Sequence, residues 1–91
     1  MAVRVTGRLG CANEAQAARV RALLGEHIRL SRAEPGCLTF DVVPTNDPLV
    51  WELNETFVDR AAYEAHQART RASTWGIETI GLTRRFEVSE G

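Results

Sequence analysis

The sequence predicts an α+β fold in the order β-α-β-β-α-β, the ferredoxin-like arrangement of one antiparallel sheet with both helices on one face. Three observations carry this expectation. Four short stretches alternate apolar and polar residues with a period of two, as half-buried strands do. Two other stretches repeat apolar residues at helical spacing. A turn bracketed by Pro44 and Pro48 joins the middle two strands into a hairpin.

The first strand contains Val3, Val5 and Leu9 alternating with Arg4, Thr6 and Arg8, with Gly7 on the apolar side. Asn13 can cap the helix that follows. From Glu14 to about Arg32, Ala17, Val20, Leu23, Leu24, Ile28 and Ser31 recur at helical spacing, and Glu34-Pro35-Gly36 ends the helix. Leu38, Phe40 and Val42 mark the second strand; Trp51, Leu53, Glu55 and Phe57 mark the third. Asp59 stands at an N-cap and opens a second helix running to about Arg69. A short helical continuation spans about Ser73 to Ile80, and Gly81 closes it. Leu82, Arg84, Phe86 and Val88 form the apolar face of the last strand. The other sheet face carries Arg4, Arg8, Thr39, Asp41, Glu52, Asn54, Arg85 and Glu87, polar and mixed in sign.

Composition narrows the function. At 91 residues the chain is expected to be one domain over 1–91, short enough that a homodimer would help it bury surface. A net charge of −1 gives no electrostatic case for nucleic acid or for an anionic membrane. All eleven basic residues are arginine, which excludes a Schiff-base or P-loop lysine. Cys11 and Cys37 lack CxxC spacing and read as reduced thiols. No apolar signal segment or spanning stretch is present, so a soluble, cytoplasmic protein is expected. The two histidines and two cysteines never approach metal-ligand spacing, and no phosphate-binding motif occurs.

Few polar residues point into the interior between sheet and helices. Glu55 sits on the Trp51-Leu53-Phe57 face, where desolvation should raise its pKa and suit proton transfer. Its alternative is an edge position that reaches water or pairs with an arginine. Tyr63 and His66 share the inward face of the second helix, since three residues advance a helix by about 300°. A histidine there can act as acid, base or donor near neutral pH, or simply pack. Arg84 is the odd charge on the last strand; it could hold an anionic ring oxygen, form an ion pair with Glu55, or do both. Trp51 and Trp75 could wall an aromatic ligand or belong to the core. His27 lies beside the apolar stripe of the first helix and reads as structural.

Two segments, Arg32-Ala-Glu-Pro-Gly-Cys-Leu-Thr-Phe-Asp-Val42 and Trp51-Glu-Leu-Asn-Glu-Thr-Phe-Val-Asp-Arg-Ala-Ala-Tyr-Glu-Ala-His66, resemble the antibiotic biosynthesis monooxygenase family. The resemblance covers nearly the whole chain. It implies a small dimeric α+β barrel and cofactor-independent oxygenation of electron-rich phenols or quinols by O₂. Such chemistry asks the protein for a dry pocket, a base and donors for developing enolate charge. His66 or Glu55 could be the base, and Arg84 with Asn54 or Trp75 the donors, although alternation points Asn54 to the other sheet face. Phe40, Trp51, Phe57, Tyr63 and Trp75 are the candidate substrate-binding residues. Many relatives carry a second histidine five residues beyond the position of His66, where this chain has Arg71. Positions matching the Asn/Trp/His triad of the haem-degrading branch hold Gly7, His66 and Gly76, so haem degradation is not expected. Two other readings stay open: an isomerase or cyclase moving protons between Glu55 and His66, and a non-catalytic binding module.

Overall fold

Asn13 and Asp59 start the two long helices by the same device, a short side-chain oxygen accepting a backbone N–H three residues on. The computed structural model, which describes residues 1–91, places Asn13 Oδ1 3.0 Å from the Gln16 nitrogen at the start of α1 (Glu14–Arg32). Asp59 Oδ1 lies 2.8 Å from the Ala62 nitrogen and opens α2 (Arg60–Ala72). That helix runs one turn beyond the expected end near Arg69, because nothing in Thr70-Arg71-Ala72 breaks it. Ser73, in an extended conformation, stops it and caps the short α3 (Thr74–Glu78).

The strands β1 (Val3–Gly10), β2 (Cys37–Pro44), β3 (Val50–Phe57) and β4 (Thr83–Glu90) form one sheet in the order β2-β3-β1-β4. Every neighbouring pair is antiparallel. The β2–β3 hairpin is closed by Asp47, whose Oδ1 accepts from the Leu49 nitrogen at 2.9 Å. Register then fixes levels across the sheet. Val5 lies opposite Glu55 on one side and Val88 on the other, while Leu9 lies between Trp51 and Arg84.

The core fills the space between this sheet and the helices. Val5 and Leu9 of β1, Phe40 of β2, Leu53 and Phe57 of β3, Val20 of α1 and Trp75 of α3 are all buried in it. Each such side chain contributes roughly 1.5–3 kcal/mol by leaving water. The open face carries the expected polar residues, with Arg8 Nη2 2.9 Å from Glu52 Oε1.

One strand departs from expectation. Arg84, Phe86 and Val88 share a face as alternation predicts, yet Phe86 stays 36% exposed and Val88 44%. α1 packs against β2 and α2 against β3, and no comparable helix packing reaches β4. No helix is long and apolar enough to cross a membrane.

Candidate functional site

Glu55 faces the helices from the middle of β3 and is 7% exposed. Burial, reinforced by the nearby Glu34 carboxylate, pushes its pKa up to about 7. The ion pair considered between Glu55 and Arg84 does not form. Register sets Arg84 at the level of Leu9, four residues along the sheet from the Glu55 level. Its guanidinium instead donates to the Thr79 carbonyl at 2.9 Å and to Thr79 Oγ1 at 2.8 Å. Burial lowers the pKa of Arg84 below its ordinary value.

His66 points inward from α2 and is 3% exposed. Its Nδ1 lies 3.0 and 3.1 Å from the two carboxylate oxygens of Glu34. Arg69 Nε donates to the same carboxylate at 2.5 Å, and Arg69 Nη2 donates to the buried Ser31 hydroxyl at 2.9 Å. With Glu34 accepting, Nδ1 carries the imidazole proton and Nε2 keeps its lone pair. That Nε2 lies 3.8 Å from Glu55 Oε1 and 3.4 Å from Thr70 Oγ1. Burial lowers the His66 pKa, with Glu34 opposing and Arg69 adding to the fall, so the ring is neutral at pH 7.

In the sequence, Glu34 reads only as the end of a helix. The fold makes it a partner of His66, because the chain leaves α1 and turns tightly against α2. Gly36 permits the approach: a Cβ there would run into Ala62. The spacing of His66 and Arg69, three apart on one helix, was a signal available beforehand. So was Ser31 lying within the apolar stripe.

A cavity of about 550 Å³ opens between the sheet and the helices. Glu55, His66 and Thr70 line one part, Phe40, Tyr63 and Trp75 supply aromatic wall, and Arg71 and Arg84 bring positive charge. His27, expected to be structural, also lines it. Its ring stacks on Trp75 with centroids 4.8 Å apart and lies 6.0 Å from the His66 ring. Its Nδ1 is buried without a partner, and burial, then the His66, Arg69 and Arg84 charges, bring its pKa down to about 3. Trp75 holds its place because α3 docks closely on the end of α2, where a Cβ on Gly76 would strike the Thr70 carbonyl.

Two candidates lie apart from the cavity lining. Trp51 is a core residue opposite Leu9. Phe57 is fully buried and packs on the rings of His66 and Tyr63, with centroids 4.9 and 5.8 Å away. Asn54 faces the opposite side of the sheet, in a shallow depression with Arg8, Asp41 and Glu52. No group of three or more His, Cys, Asp or Glu is placed to hold a metal ion.

A neutral histidine fixed by a carboxylate, a second carboxyl group titrating near neutrality and an aromatic-walled cavity together suit proton abstraction from a hydroxylated ring. Comparison with known proteins places the chain at the level of family. The family model described as antibiotic biosynthesis monooxygenase matches residues 2–75. Rv0793 of Mycobacterium tuberculosis is 28% identical, with a TM-score of 0.71 over 98% of this chain and 91% of its own. A Bacteroides thetaiotaomicron protein that carries the family's name is 25% identical, with a TM-score of 0.75 over 99% of this chain and 86% of its own. MupZ of Pseudomonas fluorescens, 17% identical, shares the fold with a TM-score of 0.79 over 96% of this chain and 66% of its own. No curated protein matches the sequence. With the family model spanning both long helices and the first three strands, the chain belongs to the antibiotic biosynthesis monooxygenase family.

Proposed function

We propose that this protein is a cofactor-independent monooxygenase that oxidises a phenol- or quinol-type aromatic substrate with O₂. The observation that carries the reading is the Glu34–His66 pair, with Nε2 facing Glu55 and the Thr70 hydroxyl in an aromatic-walled cavity. His66 Nε2 removes a proton from the substrate, and Glu34 stabilises the imidazolium through Nδ1. The resulting anion passes one electron to O₂, and the radical pair combines into a peroxide at a ring carbon. Loss of water from that peroxide leaves a carbonyl. One oxygen atom stays on the substrate, and the other departs as water with two hydrogens that the substrate supplied. No outside electron donor is required, so the reaction calls for no metal or organic cofactor.

Glu55 relays the proton that His66 acquires, a role that a carboxyl group with a pKa about 7 can fill in either direction. Arg84 stands at the other end of the cavity, at the level of Leu9, and takes no part in the proton transfer. Phe40, Tyr63 and Trp75 hold the ring, while Trp51 and Phe57 act only by packing behind them. A homodimer belongs to the same reading, because Phe86 and Val88 on β4 form an apolar edge that a second copy would cover.

Oxygen uptake against a panel of dihydroxynaphthalenes tests this. Uptake coupled to quinone formation is expected, with His66→Ala slower by roughly 10²–10⁴. Turnover unchanged without O₂ would overturn it. The 3.8 Å approach of His66 to Glu55 also favours a second reading, an isomerase or cyclase working by proton transfer alone. That activity would persist anaerobically and exchange substrate hydrogen with solvent. Binding with neither outcome would identify a non-catalytic module.

A further inference from the structure

We infer that the cavity takes an aromatic substrate bearing a carboxylate, held by Arg71 and Arg84 at the end away from His66 and Glu55. This rests on the preceding assignment of His66 and Glu55 as the reacting end; the charge and length of the substrate are what it adds.

The arginines divide sharply. Of eleven, seven lie within ion-pairing distance of a carboxylate, as Arg8 does with Glu52, Arg32 with Asp41 and Arg69 with Glu34. Arg4 and Arg85 have no such partner and lie on the open face of the sheet, where water solvates them. Arg71 and Arg84 have none either, and both line the cavity. Burial costs Arg84 part of its hydration while Arg71 stays exposed at the cavity rim, and neither has a counter-ion, an arrangement an incoming anion relieves.

Their position gives the ligand a direction. From the level of Glu55, opposite Val5 and Val88, the last strand advances four residues to Arg84, roughly 13 Å along the sheet. On the helix side Arg71 lies five residues beyond His66, about 7.5 Å further along α2. α3 closes this end from both sides: Gly76 packs on the Arg71 backbone, and Thr79 receives two hydrogen bonds from Arg84. Those bonds leave other N–H groups of the Arg84 fork free for a carboxylate. Glu55 is not the missing counter-ion, being at the other level of the sheet.

The substrate is therefore long and bipolar, a hydroxyl at one end for His66 and a carboxylate at the other for the two arginines. Calorimetric titration of the whole protein with 6-hydroxy-2-naphthoate and with its carboxamide tests this, since the pair differ in charge and little in shape. The carboxylate is expected to bind about tenfold tighter or more, by an advantage that shrinks as salt rises. Arg71→Gln and Arg84→Gln should each cut that advantage and leave the carboxamide affinity unchanged within about twofold. If Arg84→Gln misfolds for want of its bonds to Thr79, the exposed Arg71→Gln decides. Equal affinities, an advantage that survives the substitutions, or failure of both probes to bind overturns the inference. A carboxylate preference without oxygen uptake would refute the oxygenase and keep the clamp. Uptake from neutral quinols with equal affinities would do the reverse.

Discussion

β3 and β4 carry the same alternating pattern, flank the same strand β1 and meet different environments. On β3, Trp51, Leu53, Glu55 and Phe57 are all buried. On β4, Phe86 and Val88 face the same side and remain partly in water. The difference comes from what lies above them, since α1 and α2 pack against β2 and β3. Alternation therefore tells which face of a strand is apolar, and helix placement decides whether that face is dry. The charged residues follow the same division. Desolvation raises the pKa of the β3 carboxyl group to about 7, while the β4 guanidinium turns to Thr79 at the cavity margin.

Three substitutions would break or sharpen that contrast. The largest effect is expected at Phe57, fully buried beneath α2: Phe57→Ala should lose about 3–5 kcal/mol in denaturant unfolding. A loss under about 1 kcal/mol would mean β3 is no better covered than β4.

Glu55→Gln comes next and depends on pH. The folded chain holds the Glu55 proton up to a pKa of about 7, above the ordinary carboxylate value of 4.5. Its carboxylate therefore opposes folding increasingly as pH rises from about 4.5 through about 7. Thermal unfolding should find the variant about as stable as the parent near pH 4, and more stable by about 2–3 kcal/mol near pH 8. Equal stability at both would show that β3 leaves this carboxyl group in water.

The smallest effect is expected on β4. Val88→Thr should change monomer stability by less than about 0.5 kcal/mol. A larger loss that grows on dilution, followed by light scattering, would report a second copy seated on this edge.

Local chemistry accounts for much of what the fold became. The order of elements, the caps at Asn13 and Asp59, and the inward faces of Glu55, His66 and Arg84 all follow from neighbouring residues and the two backbone periods. Partners across the interior do not. Glu34 lies 32 positions from His66, and their contact exists only because the chain reverses at Pro35-Gly36 against α2. His27 sits near an apolar stripe in any reading; its place in the cavity depends on Trp75 arriving from α3. Arg84 and Glu55 share a face, yet the register of two antiparallel pairings through β1 sets them at different levels. A period of 2.0 or 3.6 residues fixes the direction in which a side chain leaves its own element. It carries no information about which distant element will be waiting there, and in this protein that meeting sets the proton position on His66, the pKa of Glu55 and the charge at the far end of the cavity.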